Sequence, residues 1–320
     1  MAKKRVLTGL QPSGVLHIGN YFGSLKPLVD LASDSNNETF LMVADYHALT
    51  SLRDPALLKQ YTYDIVKDYI AAGVDPKEVV LFRQSDNPDH MELGWILNCL
   101  VTVPFLMQAH SYKDKVAKGL DANAGLFTYP MLMAADILLY DTDMVPVGED
   151  QRQHIEYTRE AVTKFNNAYG EVFKEPKELI VQGVGIVPGT DGQKMSKSYK
   201  NTIPLFGTKD EIQKAVMSIV TDSSGNRPEN VYNIHNVIYR ALGKSQADLD
   251  ALYHEHTGKY KILKDTLVDD IETVVGPMRE RRNAISDAEV LSVLEKGAKK
   301  AKQVSQEKIR AVRKATGISL

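Results

Sequence analysis

Strand-length apolar runs alternate with stretches of helical periodicity through the first 200 residues, and this alternation constrains the fold more than any other feature. Arg5–Gly9 reads as a short strand, followed by an apolar-periodic helix from about Leu16 to Leu31. Thr39–Ala44 precedes a helix from about Pro55 to Ala72, and Glu78–Phe82 precedes one around Met91–Leu100. A further helix near Tyr129–Tyr140 leads into the strand Met144–Val147 and a helix from about Glu149 to Asn167. This spacing predicts an α/β fold, a Rossmann-like doubly wound parallel sheet with ligands at the carboxyl ends of its strands.

After about Asn201 the pattern is helical only, over Lys209–Ile219, Val231–Leu242, Gln246–His256, Tyr260–Ala284 and Asp287–Gly317. Gly276-Pro277 is expected to kink or interrupt the fourth of these, because proline lacks the N–H of the helical ladder. The expected organisation is a Rossmann-type catalytic domain over residues 1–200 and a C-terminal all-helical domain over 201–320, the last helix being able to pack back on the first.

Bulk properties narrow the class. The chain of 320 residues is 43% hydrophobic and 25% charged, which is ordinary for a globular protein with a core. No apolar run approaches the roughly 18–20 residues of a membrane helix, and no signal-peptide stretch follows Met1–Arg5. A single cysteine excludes an internal disulfide and any multi-cysteine zinc or iron–sulfur site. The expectation is a cytoplasmic protein with no membrane partner. The net charge of −2 hides an asymmetry: from Val290 onward eight lysines and arginines face two acids. That basic helix is a candidate nucleic-acid contact, and reads equally well as a solvated face.

Two segments carry phosphate chemistry. The first strand runs into Gln11-Pro12-Ser13-Gly14, and His17-Ile18-Gly19-Asn20 then opens a helix. A helix start presents unpaired N–H groups to an anion, Gly19 lets a flat nucleoside approach the backbone, and His17 and Asn20 offer donors to phosphate oxygens. The bland alternative for His17 is a helix cap. The second segment, Lys194-Met195-Ser196-Lys197-Ser198, would arise by composition in about one chain in 10,000, so chance is a poor explanation. Its approach holds Gly183, Gly185, Gly189 and Gly192, which predicts a loop able to move. Two lysines there suit charge developing on a departing pyrophosphate. Gly148-Glu149-Asp150-Gln151 opens another helix, and its acids suit ribose hydroxyls or the helix dipole.

The two segments resemble the His-Ile-Gly-His and Lys-Met-Ser-Lys-Ser signatures of class I aminoacyl-tRNA synthetases, with Asn20 in place of the second histidine. Thr128–Tyr140 and Val145–Gln151 resemble the tryptophan-specific members of that class. The resemblance is dense from about Val6 to Ile203 and looser beyond. It implies activation of L-tryptophan with ATP, with Mg²⁺ on the phosphates, and transfer to tRNA(Trp) by a homodimer. It implies catalytic roles for Lys194, Lys197, Lys115 and Gln11. Its ATP site would comprise Gln11, Pro12, Ser13, His17, Gly19, Asn20, Gly148, Glu149, Asp150 and Ile186, together with Lys194, Met195, Ser196, Lys197 and Ser198. An amino-acid carboxylate is already ionised at neutral pH, so no general base is required and no metal ligands from the protein are expected.

Tyr129, Met133 and Asp136 share one helical face by their spacing. A carboxylate in so apolar a stretch needs a partner, which an indole N–H would supply. Resemblance places Tyr129 and Gln151 near the α-amino group, and His47 closes the second strand at the same ligand edge. Tyrosine enzymes of this class carry a tyrosine where Leu7 stands and tend to carry glutamine where Met133 stands. Both residues here favour a large apolar ring with one donor. Tryptophan enzymes often have phenylalanine at the Leu7 position, so that wall is slightly altered. Cys99 reads as a core residue, and the apolar stretch Trp95–Leu106 as a candidate dimer face. The alternatives are a tyrosine–tRNA ligase, a small nucleotidyltransferase, or a non-catalytic tRNA-binding paralogue.

Overall fold

The computed structural model describes residues 3–117, 119, 122–148, 152–180, 187–221 and 227–319, with the backbone alone for Ser111 and Lys115. Its first part contains β1 (Lys4–Leu10), α1 (Ile18–Asn20), α2 (Lys26–Ala32), β2 (Asn37–Val43), α3 (Asp45–Ala48), α4 (Pro55–Ala71) and β3 (Val80–Arg83). There follow α5 (Asp89–Asn98), α6 (Val103–Leu106), α7 (His110–Ala117), α8 (Ala124–Leu138), β4 (Met144–Val147), α9 (Arg152–Tyr169) and β5 (Lys177–Ile180). The remainder is helical: α10 (Lys209–Met217), α11 (Glu229–Ala241), α12 (Gln246–Glu255), α13 (Tyr260–Ala284) and α14 (Asp287–Thr316).

The strands form a parallel sheet in the order β3-β2-β1-β4-β5. The chain works outward from β1 through β2 to β3, then returns to place β4 on the other side of β1. The topological switch therefore lies between β1 and β4, where such sheets open a crevice at their carboxyl ends. β2 is buried over most of its length because helices cover both faces, which is why it reads as a continuous apolar run rather than an alternation.

β5 has no counterpart among the strands expected from the sequence. It is a four-residue edge strand, only partly buried, and too short to show a period. The expected break at Gly276-Pro277 does not occur; α13 runs through Pro277 to Ala284. Cys99 is exposed at the end of α5 rather than in the core.

The last helix joins the two parts. Val290 and Leu294 belong to an apolar cluster shared by the α2–α4 face and the helices from α10 onward. Ala301, Ile309 and Val312 belong to the cluster on the opposite face of the sheet, with Phe40, Leu93 and Tyr140. Arg313 is paired with Glu92 and Lys308 with Asp141, fixing α14 on the first part by charge as well as by burial. Among the described residues no helix is long and apolar enough to cross a membrane.

Candidate active site

A cavity of about 440 Å³ opens at the switch point, lined by the carboxyl ends of β1 and β4 and by one face of α8. Leu7, Gln11, His47, Tyr129, Met133, Asp136 and Gly148 of the sequence-predicted site all line it. The one-face argument for α8 holds because Tyr129, Met133 and Asp136 all fall within this single helix.

The partner of Asp136 differs from expectation. The expected partner is the ligand's indole N–H, but the protein already supplies three partners. His47 Nε2 lies 2.8 Å from Oδ2, while His90 Nδ1 at 2.6 Å and Gln84 Nε2 at 2.8 Å lie against Oδ1. Burial by itself pushes the carboxyl pKa up, but the hydrogen bonds from His47 and His90 more than offset it and hold it at about 2. Asp136 is thus a buried, ionised acceptor, and Oδ2 carries the fewer bonds. A carboxylate accepts about four hydrogen bonds, so a donor entering from the cavity finds room.

Gln84 and His90 were missed. Both follow β3, Gln84 at its carboxyl end and His90 in the first turn of α5. Their signal was the polar run Gln84–His90 directly after an apolar strand, the place where such sheets gather functional side chains. Gln84 is held the right way round by Tyr46 N–H, which donates to its Oε1 at 3.1 Å.

The two signature segments are physically joined. Ile18 N–H donates to Ile203 O and Leu205 N–H to Leu16 O, each at 3.0 Å, so the chain just past Ser198 is laid beside the start of α1. Lys197 Nζ donates to Ser13 O at 3.1 Å, bridging the loops directly. Burial pushes the Lys197 ammonium pKa down, and nearby Asp68 opposes that.

His17 takes the cap role that had been its bland alternative. Its Nδ1 accepts from Asn20 N–H, and Asn20 Oδ1 accepts from His17 N–H, each at 3.1 Å. Burial and then the Lys197 charge lower its pKa to about 4. Gly19 faces protein: a Cβ there would stand 3.0 Å from the His17 ring and 3.2 Å from Met195 Cβ. Met195 is itself buried, so the second signature packs on the first at the glycine.

Asn201, also unanticipated, organises the second signature. Its Oδ1 accepts from Ser196 N–H at 2.8 Å, and its Nδ2 donates to Lys194 O at 3.2 Å and to Asp191 Oδ1 at 2.7 Å. Gly189 leaves the space Asn201 occupies, since a Cβ would fall 2.3 Å from its Nδ2, and Gly192 adopts φ +82°. Those two glycines therefore answer to packing and backbone conformation. Glu149, Asp150, Gln151, Ile186 and the Lys115 side chain, with Gly183 and Gly185, lie outside the described residues.

Comparison with known proteins places this arrangement. The family model of class I tRNA synthetases (W and Y) matches residues 2–289. The tryptophan–tRNA ligase of Fusobacterium nucleatum is 48% identical, with 98% of each chain covered. The crystal structure of Campylobacter jejuni tryptophanyl-tRNA synthetase complexed with ADP and tryptophan superposes with a TM-score of 0.90 at 42% identity, covering 98% of this chain and 99% of that one. The Mycoplasma pneumoniae tryptophanyl-tRNA synthetase gives 0.82 at 28% identity, with 98% of each chain covered. The chain belongs to the class I tRNA synthetases of the tryptophan and tyrosine type, on the tryptophan branch.

Proposed function

We propose that tryptophan sits in the switch-point cavity with its indole N–H on Asp136 Oδ2 and its ring against Leu7 and Met133. The overall reaction is that of a tryptophan–tRNA ligase: L-tryptophan and ATP give tryptophanyl-adenylate and pyrophosphate, and tryptophan then passes to tRNA(Trp). The observation that carries the binding mode is a buried, ionised acceptor that shares the switch-point cavity with Leu7, Met133, Ile137 and Val145. Tyr129 and Gln151 would hold the α-amino end, leaving the carboxylate facing the loops after β1.

ATP would lie across those loops, on Gln11, Pro12, Ser13, His17, Gly19 and Asn20, with Gly148, Glu149 and Asp150 toward the ribose and Ile186 toward the base. Attack of the tryptophan carboxylate on the α-phosphate is an in-line displacement that depends on positioning and charge stabilisation. Lys194, Lys197 and Lys115 would neutralise the departing pyrophosphate. Lys197, tethered to Ser13, is set to follow charge across both signatures. Mg²⁺ would enter on the ATP phosphates, since it favours waters and phosphate oxygens over all-protein cages.

The helices beyond residue 200 would contact the tRNA anticodon region, with the exposed lysines of α14 as further phosphate contacts. Trp95, Val103 and Met107 are more than half exposed on α5 and α6 and the turn after it, and would form part of a homodimer face. The protein would act in the cytoplasm. Tryptophan-dependent ATP–pyrophosphate exchange, run beside tyrosine, tests the assignment: exchange with tryptophan is expected, and exchange with tyrosine alone would overturn it.

A further inference from the structure

Asp136 is one end of a hydrogen-bond chain that leaves the cavity and ends on the last helix. His90 links to Asp136 through Nδ1, and its Nε2 lies 2.8 Å from Tyr140 Oη. Asn87 Nδ2 lies 3.1 Å from the same hydroxyl and 2.9 Å from Ser305 Oγ. Ser305 Oγ lies 2.6 Å from Asp89 Oδ2, with Lys302 O at 3.2 Å as its other acceptor. Gln84, Asn87, His90, Tyr140 and Ser305 are all fully buried, so each polar atom of the chain depends on its neighbours for its hydrogen bonds.

The donor and acceptor rules leave one self-consistent proton arrangement. An amide NH₂ only donates and an ionised carboxylate only accepts. Asp89 N–H donates to Asn87 Oδ1 at 3.3 Å, so the amide faces Tyr140 and Ser305 with its nitrogen. Asn87 gives one hydrogen to each. The Tyr140 oxygen is thereby an acceptor toward Asn87, and its own hydrogen points at His90 Nε2. That nitrogen accepts, so the ring carries its proton on Nδ1 and donates it to Asp136. A second proton on the ring would leave the Tyr140 hydrogen without an acceptor in the chain.

We propose that His90, Tyr140 and Asn87, anchored by Ser305 of α14, are positioning residues for amino-acid choice. They hold the Asp136 carboxylate in one rotation as an anionic acceptor, and so set how strongly the pocket favours an indole N–H. The inference rests on Asp136 being the indole acceptor. None of the four touches the cavity, so their effect on substrate choice passes through Asp136 alone.

The test compares tryptophan with 3-benzothienylalanine, an isostere in which sulfur replaces the N–H, in ATP–pyrophosphate exchange on the full chain. The unsubstituted enzyme is expected to prefer tryptophan by at least about 100-fold in kcat/KM, because a site built around a donor rejects the analogue lacking it. In Tyr140→Phe and His90→Asn that ratio falls about tenfold, through a raised KM for tryptophan with kcat and the analogue little changed. Equal losses for both substrates would mean a merely structural role and overturn the proposal. Asp136→Ala, which removes the acceptor outright, separates the two readings. If it collapses the ratio while the chain variants do not, the positioning role falls and the Asp136 assignment stands. If Asp136→Ala leaves the ratio intact, the Asp136 assignment itself falls. Independent of any variant, ring ¹⁵N shifts of His90 should show the neutral Nδ1–H tautomer, and the Nε2–H tautomer or an imidazolium would refute the chain.

Discussion

Gly297 of the last helix stands directly against the Leu81 carbonyl of β3: a Cβ at that position would lie 1.8 Å from the carbonyl oxygen and 2.5 Å from its carbon. The helix crosses the edge strand at this residue, passing from the cluster it shares with the helical part to the cluster behind the cavity. Backbone cannot yield as a flexible side chain would. Gly297→Ala is therefore expected to destabilise the protein by about 2–4 kcal/mol, since overpacking against rigid neighbours carries costs of this order. Thermal unfolding measures it, and an unchanged Tm would show that α14 can shift at no cost.

Asp136→Ala would remove the acceptor and leave His47, His90 and Gln84 aimed at a void. Selectivity for tryptophan over tyrosine in the exchange reaction is expected to drop by about 10²–10³-fold. Tryptophan binding equal to that of the unsubstituted enzyme would remove Asp136 from the recognition scheme.

Lys194→Ala should act on the transition state rather than on the bound substrates. The exchange kcat is expected to fall about 10²-fold or more, with the KM for tryptophan within about threefold of its original value. A rise in KM at constant kcat would place Lys194 in ground-state binding instead.

Asn201→Ala would release Ser196 N–H, Lys194 O and Asp191 together, loosening the turn that carries both signature lysines. The exchange kcat should fall about 10–100-fold without a matching loss of tryptophan affinity, as misplacement of catalytic groups predicts. Steady-state kinetics on a variant with unaltered circular dichroism makes the comparison.

His17 gives the stability a pH dependence. Its folded-state pKa, lowered to about 4 from 6.5 by burial and then by Lys197, lies below the unfolded value. Between those values the unfolded chain binds a proton that the folded chain does not, so the His17 contribution grows as pH rises and is lost as pH falls. His17→Asn keeps a capping oxygen without a titrating ring. The stability of the unsubstituted protein relative to that variant should rise by about 2–3 kcal/mol from pH 4 to 6.5. Urea unfolding across that range checks it, and a pH-independent gap contradicts it.

Much of the cavity wall was readable from residue order because local geometry suffices for it. Helical periodicity alone aligns Tyr129, Met133 and Asp136, the end of β4 brings Gly148 to the ligand edge, and Leu7 was legible only through the family resemblance. The capping of α1 by His17 was among the sequence alternatives for the same reason, since it spans three residues. β5 escaped because four partly buried residues at a sheet edge carry no legible period. Gly19, Gly189 and Gly192 were read as room for a ligand or for motion, whereas Gly19 and Gly189 leave room for other parts of the chain and Gly192 supports a left-handed turn.

Residue order is enough for the architecture and the class of chemistry: alternating periods specify a parallel α/β sheet, and two short motifs point to ATP activation. Long-range packing sets what surrounds Asp136, how Lys197 and Met195 join the two signatures, and where the last helix crosses back over β3. The physical reason is separation along the chain. Asp136 meets His90, Gln84 and His47 from 46, 52 and 89 residues away, and Ser305 meets Asn87 from 218. No local propensity encodes such meetings. They arise when the sheet brings its strand ends together and buried polar groups must find donors and acceptors among the side chains that arrive there.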